Sequence, residues 1–205
     1  HQVEVAYRVT GDTYSFELGD YDTTKELVID PLLQSTYFGG SGGDTIMDLA
    51  IAPNGSVYAV GSTSSIDISG FASELDGTDA FVARFNPSLR ALQGVAYIGG
   101  TGSSGGLDEA RTLAFRETDS NNFDVYVAGQ TYSADLAGVN IDSADSTFGT
   151  TAGESEGFVS WLNSDLDMLH RSTFFGGSTK ETVASLPDDS VNSIAIAGDI
   201  FIAGF

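Results

Sequence analysis

The chain has 205 residues, 41% of them hydrophobic, and no cysteine. Its 29 acidic residues against 8 basic ones give a net charge of −21 at pH 7. Such a charge repels a phosphate backbone and excludes nucleic acid as a partner, while the lack of cysteine excludes disulfides and thiolate metal sites. No apolar run approaches the roughly 18 residues of a membrane-spanning helix, so we expect no transmembrane segment.

Residues 1–31 are predicted to be the tail of an upstream β domain. Apolar residues alternate through Tyr14, Phe16 and Leu18, which is typical of a strand, and Gly11-Asp12 marks a turn before them. Residues 32–38 have the pattern of a further strand that ends at a glycine pair.

From residue 33 onward, four short elements recur in the same order. The first is LQSTYFGG at 33–40, LQGVAYIGG at 92–100 and LHRSTFFGG at 169–177. The second is LAI at 49–51, LAF at 113–115 and IAI at 194–196. The third is VYAVGST at 57–63, VYVAGQT at 125–131 and IFIAGF at 200–205, and the fourth is DAFVARFNPSL at 79–89 and EGFVSWLNSDL at 156–166. All are rich in Val, Ile, Phe and Tyr and are separated by turn residues, so each repeat is predicted to be four antiparallel strands.

The strings STYFGGSGGD, IAPNGSVYAVGST and DAFVARFNPS resemble the bacterial SBBP repeat, a family named for seven-bladed β-propellers. The resemblance covers about residues 32–205, and residues 1–31, ending in LVIDP, resemble the β-rich segment that commonly precedes such repeats. It implies an all-β fold of propeller blades, each a four-stranded antiparallel sheet. It also implies a large secreted or cell-surface bacterial protein. The second copy departs from the pattern through an insertion at 132–155.

The predicted blades lie at about 35–94 and 95–171, with an incomplete blade at 172–205, which makes a partial propeller of about two and a half blades. The third repeat stops after its second strand. Residues 32–38 have the pattern of the fourth strand of a repeat, but the first three strands of that repeat do not precede them in the sequence. We expect these edges to be completed by the remaining blades of a longer chain or by neighbouring copies.

Three aspartates hold the same register. Asp44, Asp108 and Asp189 each stand five residues before the first apolar residue of a predicted innermost strand. They belong to long, acidic loops on one face, where binding sites usually lie. We name them the register carboxylates. Two interpretations stay open: they bind calcium at the mouth of a central channel, or each caps a turn by accepting backbone hydrogen bonds.

No arrangement typical of an enzyme is recognisable. The only histidines are His1 and His170, and His170 aligns with Gln34 and Gln93 on a predicted strand surface. We therefore expect a non-enzymatic extracellular or cell-surface module for adhesion, ligand display or surface structure, with a carbohydrate or protein ligand. One alternative is a propeller-type carbohydrate-active enzyme that uses acidic residues of the long-looped face. The other is a structural subunit of a larger assembly or filament.

Overall fold

The structure is a computed structural model that describes residues 3–10, 13–25, 27, 35–68, 70–71, 77–100, 107–119, 122–149, 155–176 and 189–204. Over these residues the chain consists of twelve strands with turns and loops, and none of it forms a helix that could cross a membrane. The all-β prediction is confirmed. The chain divides into two compact units, His1–Leu33 and Gln34–Phe205.

The first unit contains an antiparallel hairpin of β1 (Val5–Thr10) and β2 (Thr13–Leu18). The pairing runs from Val5 opposite Leu18 to Thr10 opposite Thr13. The predicted turn at 11–12 would join these strands, and it lies outside the described residues.

The second unit begins with a four-stranded antiparallel sheet in which each strand pairs with the next one in the chain. Its strands are β3 (Asp44–Ile51), β4 (Val57–Thr63), β5 (Asp79–Phe85) and β6 (Leu92–Ile98). Gly55 has a φ of 82° in the turn between β3 and β4, a left-handed conformation that favours glycine.

A second sheet repeats this topology, and a hairpin follows it. The sheet contains β7 (Glu109–Glu117), β8 (Phe123–Thr131), β9 (Glu156–Asn163) and β10 (Leu169–Phe175), and the hairpin contains β11 (Val191–Ala197) and β12 (Asp199–Gly204). The described residues of the second and third recurring elements lie in strands of the expected order, and the fourth element begins with β5 in the first repeat and with β9 in the second. The prediction of repeated four-stranded antiparallel sheets is therefore confirmed for the first two repeats.

The first strand of each repeat carries the same β-bulge, since the pairing register shifts at Met47, Arg111 and Asn192. A glycine of the second strand lies next to this bulge in each case. A Cβ at Gly61 or Gly129 would overlap the carbonyl oxygen of the strand beside it, and Gly204 is in the same position. Glycine occurs within these strands because the two backbones approach too closely for a side chain.

The two sheets and the hairpin pack in sequence through apolar faces. Tyr58 and Val60 of the first sheet share a core with Val125 and Phe158 of the second. Tyr126 occupies the position in the second repeat that Tyr58 occupies in the first. It lies on the face of the second sheet opposite to Val125 and packs against the β11–β12 hairpin. Each sheet thus offers the same face to the next one, and β7 lies beside both β3 and β11.

Two predicted boundaries differ from the structure. The strand expected at 32–38 lies partly outside the described residues, and residues 35–38 are not in a strand. Phe38 nevertheless packs on Phe81, with ring centroids 4.8 Å apart, so its side chain is held by apolar contact without strand pairing. The boundary expected between 94 and 95 falls inside β6, because β6 continues to pair with β5 as far as Ile98.

Candidate functional site

The site is built around the register carboxylates, and Asp44 shows its pattern first. Asp44 opens β3, and its carboxylate accepts hydrogen bonds from the Thr63 hydroxyl at 2.5 Å and the Ser65 hydroxyl at 3.0 Å. It also accepts one from the backbone N–H of Gly40 at 2.9 Å. The carboxylate therefore joins the loop before β3 to the loop that follows β4.

Asp108 repeats this arrangement in a fully buried setting, with 1% of its surface exposed. Its carboxylate accepts hydrogen bonds from the hydroxyls of Thr131 at 2.6 Å and Ser133 at 2.9 Å. Backbone N–H groups of Tyr132 at 3.1 Å and Gly100 at 3.3 Å complete the set. Burial raises the pKa of Asp108 above its ordinary value, although the four hydrogen bonds oppose that shift.

We call this arrangement the carboxylate clasp. It consists of an aspartate at or just before the start of the first strand, a Thr-x-Ser whose threonine ends the second strand, and the second glycine of the preceding glycine pair. A side chain at Gly40 would collide with Ser65, and one at Gly100 would collide with Ser133. The glycine pair is needed because the loop backbone passes directly against the hydroxyl residues. In the first two repeats the clasp therefore ties residues just before the first strand to residues at the end of the second strand.

The hydroxyl half of the clasp was not predicted from the sequence, although a signal for it exists. The strings GSTSSID at 61–67 and GQTYSAD at 129–135 share the pattern Gly-x-Thr-x-Ser-x-Asp. The final aspartate of the first string, Asp67, accepts hydrogen bonds from both the N–H and the hydroxyl of Ser41, which lower the pKa of Asp67. Asp135 holds the same register and lies close to Gly100.

Asp189 lies two residues before β11, and its carboxylate is next to Gly176. Its backbone carbonyl accepts a hydrogen bond from the Ser155 hydroxyl at 3.2 Å. Asp189 also faces Glu156, whose side chain contacts the same glycine.

Glu156 is a second functional candidate, and the sequence pattern did not single it out. Glu156 is the first residue of β9, and Asp79 is the first residue of the equivalent strand β5 in the first repeat. Both residues are at least 98% buried. One carboxylate oxygen of Glu156 accepts a hydrogen bond from the Gly149 N–H at 2.7 Å, while the other is buried without a hydrogen-bond partner. Burial raises the pKa of Glu156, and the nearby charges of Asp145 and Asp189 raise it further.

The structure does not gather the three register carboxylates into one metal-binding group. Among the described residues, no three carboxylate, imidazole or thiolate side chains lie close enough together to hold a metal ion. Asp44 and Asp108 instead make the hydrogen bonds that the turn-capping interpretation requires. Calcium binding by Asp44, Asp108 and Asp189 stays a prediction.

His170 lies on strand β10 at the bulged position of its pairing with β9. Its ring packs on Trp161, with centroids 4.5 Å apart, and Trp161 stacks in turn on Tyr126 at 6.1 Å. The Arg116 guanidinium lies 5.4 Å from the Trp161 ring and pairs with Asp124 at 2.8 Å. His170 thus has the strand-surface position expected for it, whereas His1 lies outside the described residues.

Comparison with known proteins adds one match. Residues 1–32 match a family model described as a domain of unknown function, DUF7948. No curated protein and no solved structure matches the chain.

Proposed function

We propose that residues 32–205 form consecutive blades of a β-propeller. Two observations support this: the four-stranded antiparallel sheets are meanders of identical strand order, and their first strands lie side by side. Adjacent first strands are what sheets arranged around a central axis require. The SBBP-repeat resemblance of the sequence agrees with this arrangement.

The proposed role is that of a non-enzymatic, extracellular or cell-surface module that displays a ligand-binding face. The observation that carries the proposal is the repeated carboxylate clasp. The buried carboxylate of Asp108 anchors the ends of two loops, since its described hydrogen bonds come from hydroxyl and N–H groups of Gly100, Thr131, Tyr132 and Ser133. Loops whose ends are anchored on a sheet scaffold are suited to recognition, and the net charge of −21 favours solubility.

One observation favours a second candidate function, a carbohydrate-active enzyme. Glu156 is buried, its pKa is raised, and the Asp189 carboxylate is nearby. Glycoside hydrolysis uses two neighbouring carboxyl groups, and the pKa of the one that acts as the acid is raised.

A panel of neutral and acidic polysaccharides separates the two functions. The chain is incubated with each polymer, and both its retention on the polymer and the release of reducing ends are measured. The proposal predicts retention on a polymer or cell-surface preparation without cleavage. Cleavage that is lost in Glu156→Gln but kept in the surface control Asp142→Asn would overturn it in favour of the enzyme.

A further inference from the structure

The last strand of the second sheet, β10, has its outer edge covered by another part of the chain. Residues 138–148 lie along this edge, and we call them the edge strap. The backbone N–H groups of Ser172 and Phe174 donate hydrogen bonds to carbonyl oxygens of the strap, at 2.9 and 3.1 Å. The Phe148 ring of the strap packs on Phe174, with centroids 5.3 Å apart. The strap therefore pairs with β10 as a neighbouring strand would.

The last strand of the first sheet, β6, also ends a complete four-stranded sheet, but no strap covers it among the described residues. Val95 and Tyr97 occupy the positions of Ser172 and Phe174, since each lies opposite the equivalent residue of the preceding strand. In the described part of the chain, nothing outside the sheet accepts a hydrogen bond from the N–H of Val95 or Tyr97. Such outward N–H groups are what an added strand pairs with.

The difference between the two edges comes from the length of one connection. The chain passes from β8 to β9 through residues 132–155, but from β4 to β5 through residues 64–78 only. Gly138 and Gly70 hold the same position in these connections, with φ of 82° and 81°. A Cβ on Gly138 would lie 3.0 Å from the Ser172 nitrogen, whereas one on Gly70 would meet no atom within 4 Å. The shorter connection thus stands away from β6 where the longer one is bonded to β10.

The charges near β6 indicate the chemistry of a partner. Burial raises the pKa of Tyr97, and the negative charges of Asp44 and Asp67 raise it further, so both carboxylates lie near this end of the edge. On the neighbouring strand β5, the Arg84 guanidinium is already paired with Asp165. With a net charge of −21 on the whole chain, the edge is complementary to a cationic partner.

We propose that the outer edge of β6 binds an extended basic peptide as an added strand, whose carbonyl oxygens accept hydrogen bonds from the N–H groups of Val95 and Tyr97. Since the Phe148 ring of the strap packs on Phe174, the peptide is expected to place an aromatic side chain beside Tyr97. This inference goes beyond the proposed function, because it concerns a strand edge rather than the loops. It depends on the strand order of one sheet and not on the closure of a propeller.

Amide hydrogen exchange of the whole chain, resolved by NMR, tests the open edge without a ligand. The N–H groups of Val95 and Tyr97 are expected to exchange at least about tenfold faster than those of Ser172 and Phe174, which the strap covers. Equal protection of the two pairs would overturn the proposal. Protection of Val95 and Tyr97 that appears only as protein concentration rises would identify a second copy as the occupant, and would also overturn it.

Fluorescence anisotropy with a labelled peptide tests the occupant. The probe is a peptide of about eight residues that alternates lysine with phenylalanine and threonine, and the control peptide has glutamate in place of lysine. The lysine peptide is expected to bind at least about tenfold more tightly than the glutamate peptide, and to slow the exchange of the Val95 and Tyr97 amides. Its affinity should fall as salt rises from about 0.05 to about 0.5 M, because salt screens the attraction.

Val95→Pro and Val95→Ala form the matched pair of variants. Proline removes the N–H at a position where an edge strand tolerates it, whereas alanine keeps the N–H. The affinity for the lysine peptide is expected to fall at least about tenfold in Val95→Pro and about twofold at most in Val95→Ala. Unchanged circular dichroism verifies that both variants fold, and the exchange measurement on the wild type needs neither of them.

Equal affinity of the wild type and Val95→Pro for the lysine peptide, or no binding by the wild type, would overturn the proposal. The polysaccharide assay measures a different property of the chain. Failure of this inference is therefore distinct from failure of the proposed function.

Discussion

Replacing Asp108 by asparagine tests the carboxylate clasp as a stabilising element. The substitution preserves shape but exchanges one acceptor oxygen for an NH₂ group, which would face the Ser133 hydroxyl and the Gly100 N–H. The hydroxyl can rotate and accept a hydrogen bond from the new amide, whereas the Gly100 N–H cannot. One backbone donor therefore loses its partner within a buried site.

The expected cost follows from that lost partner. A buried donor left without a hydrogen bond costs about 1–3 kcal/mol. Removing the charge from a buried site offsets part of this loss. We therefore expect Asp108→Asn to lower the free energy of unfolding by about 2 kcal/mol. Asp44→Asn is the internal comparison, because Asp44 is only partly buried and water can replace the lost bond. We expect a loss there of about 1 kcal/mol or less.

Urea unfolding followed by the fluorescence of Trp161, the single tryptophan, measures both values. Asp142→Asn serves as a control in an exposed loop and should change the stability by about 0.5 kcal/mol at most. A cost for Asp108→Asn no larger than that for Asp44→Asn would refute this reasoning, because burial would then not decide the strength of the clasp.

Three further results follow from the structure. Burial raises the pKa of Glu156 in the folded state above its ordinary value of 4.5. The contribution of Glu156 to the free energy of unfolding is therefore fully present below the pKa of the unfolded chain, and it is lost as pH rises through the pKa of the folded chain. The difference in unfolding free energy between wild type and Glu156→Gln should therefore fall with rising pH, and a rise would contradict the burial argument. Gly129→Ala should lower the free energy of unfolding by about 2 kcal/mol or more, because its Cβ would overlap a strand carbonyl. Gly43→Ala is the control, because a Cβ there has ordinary contacts, and the same urea assay should show well under half of that loss. Calorimetric titration with calcium should show no saturable heat if the register carboxylates only cap turns; a heat that disappears when all three are changed to asparagine would instead establish the calcium site.

Features that depend on local pattern could be predicted from the sequence alone. Strands such as β4 and β8 follow from alternation, β-branched and aromatic residues, and recurrence at a fixed order. The all-β class and the repeated four-stranded sheets follow from the same pattern. Asp44 and Asp108 were found in this way too, because their spacing from the next strand is constant.

Features that depend on contacts between distant residues could not be predicted in this way. The Thr63 hydroxyl is 19 residues from Asp44, and only the pairing of β3 with β4 brings the two together. The burial of Glu156 likewise depends on packing around the start of β9, so nothing in its immediate sequence distinguishes it from an exposed acid. Residues 35–38 have a strand-like pattern but no strand pairing, because a strand also needs a neighbour to accept its hydrogen bonds.

Nuclear Overhauser contacts between ring and methyl protons, in a sample labelled selectively at Phe, Tyr and Ile, test the central claim most directly. If successive repeats stack through the same face, Tyr58 should show contacts to Phe115, and Tyr126 should show the corresponding contacts to Ile196. Cross-strand contacts within each sheet serve as the internal control. Strong contacts within the sheets without either contact between repeats would contradict the stacked arrangement.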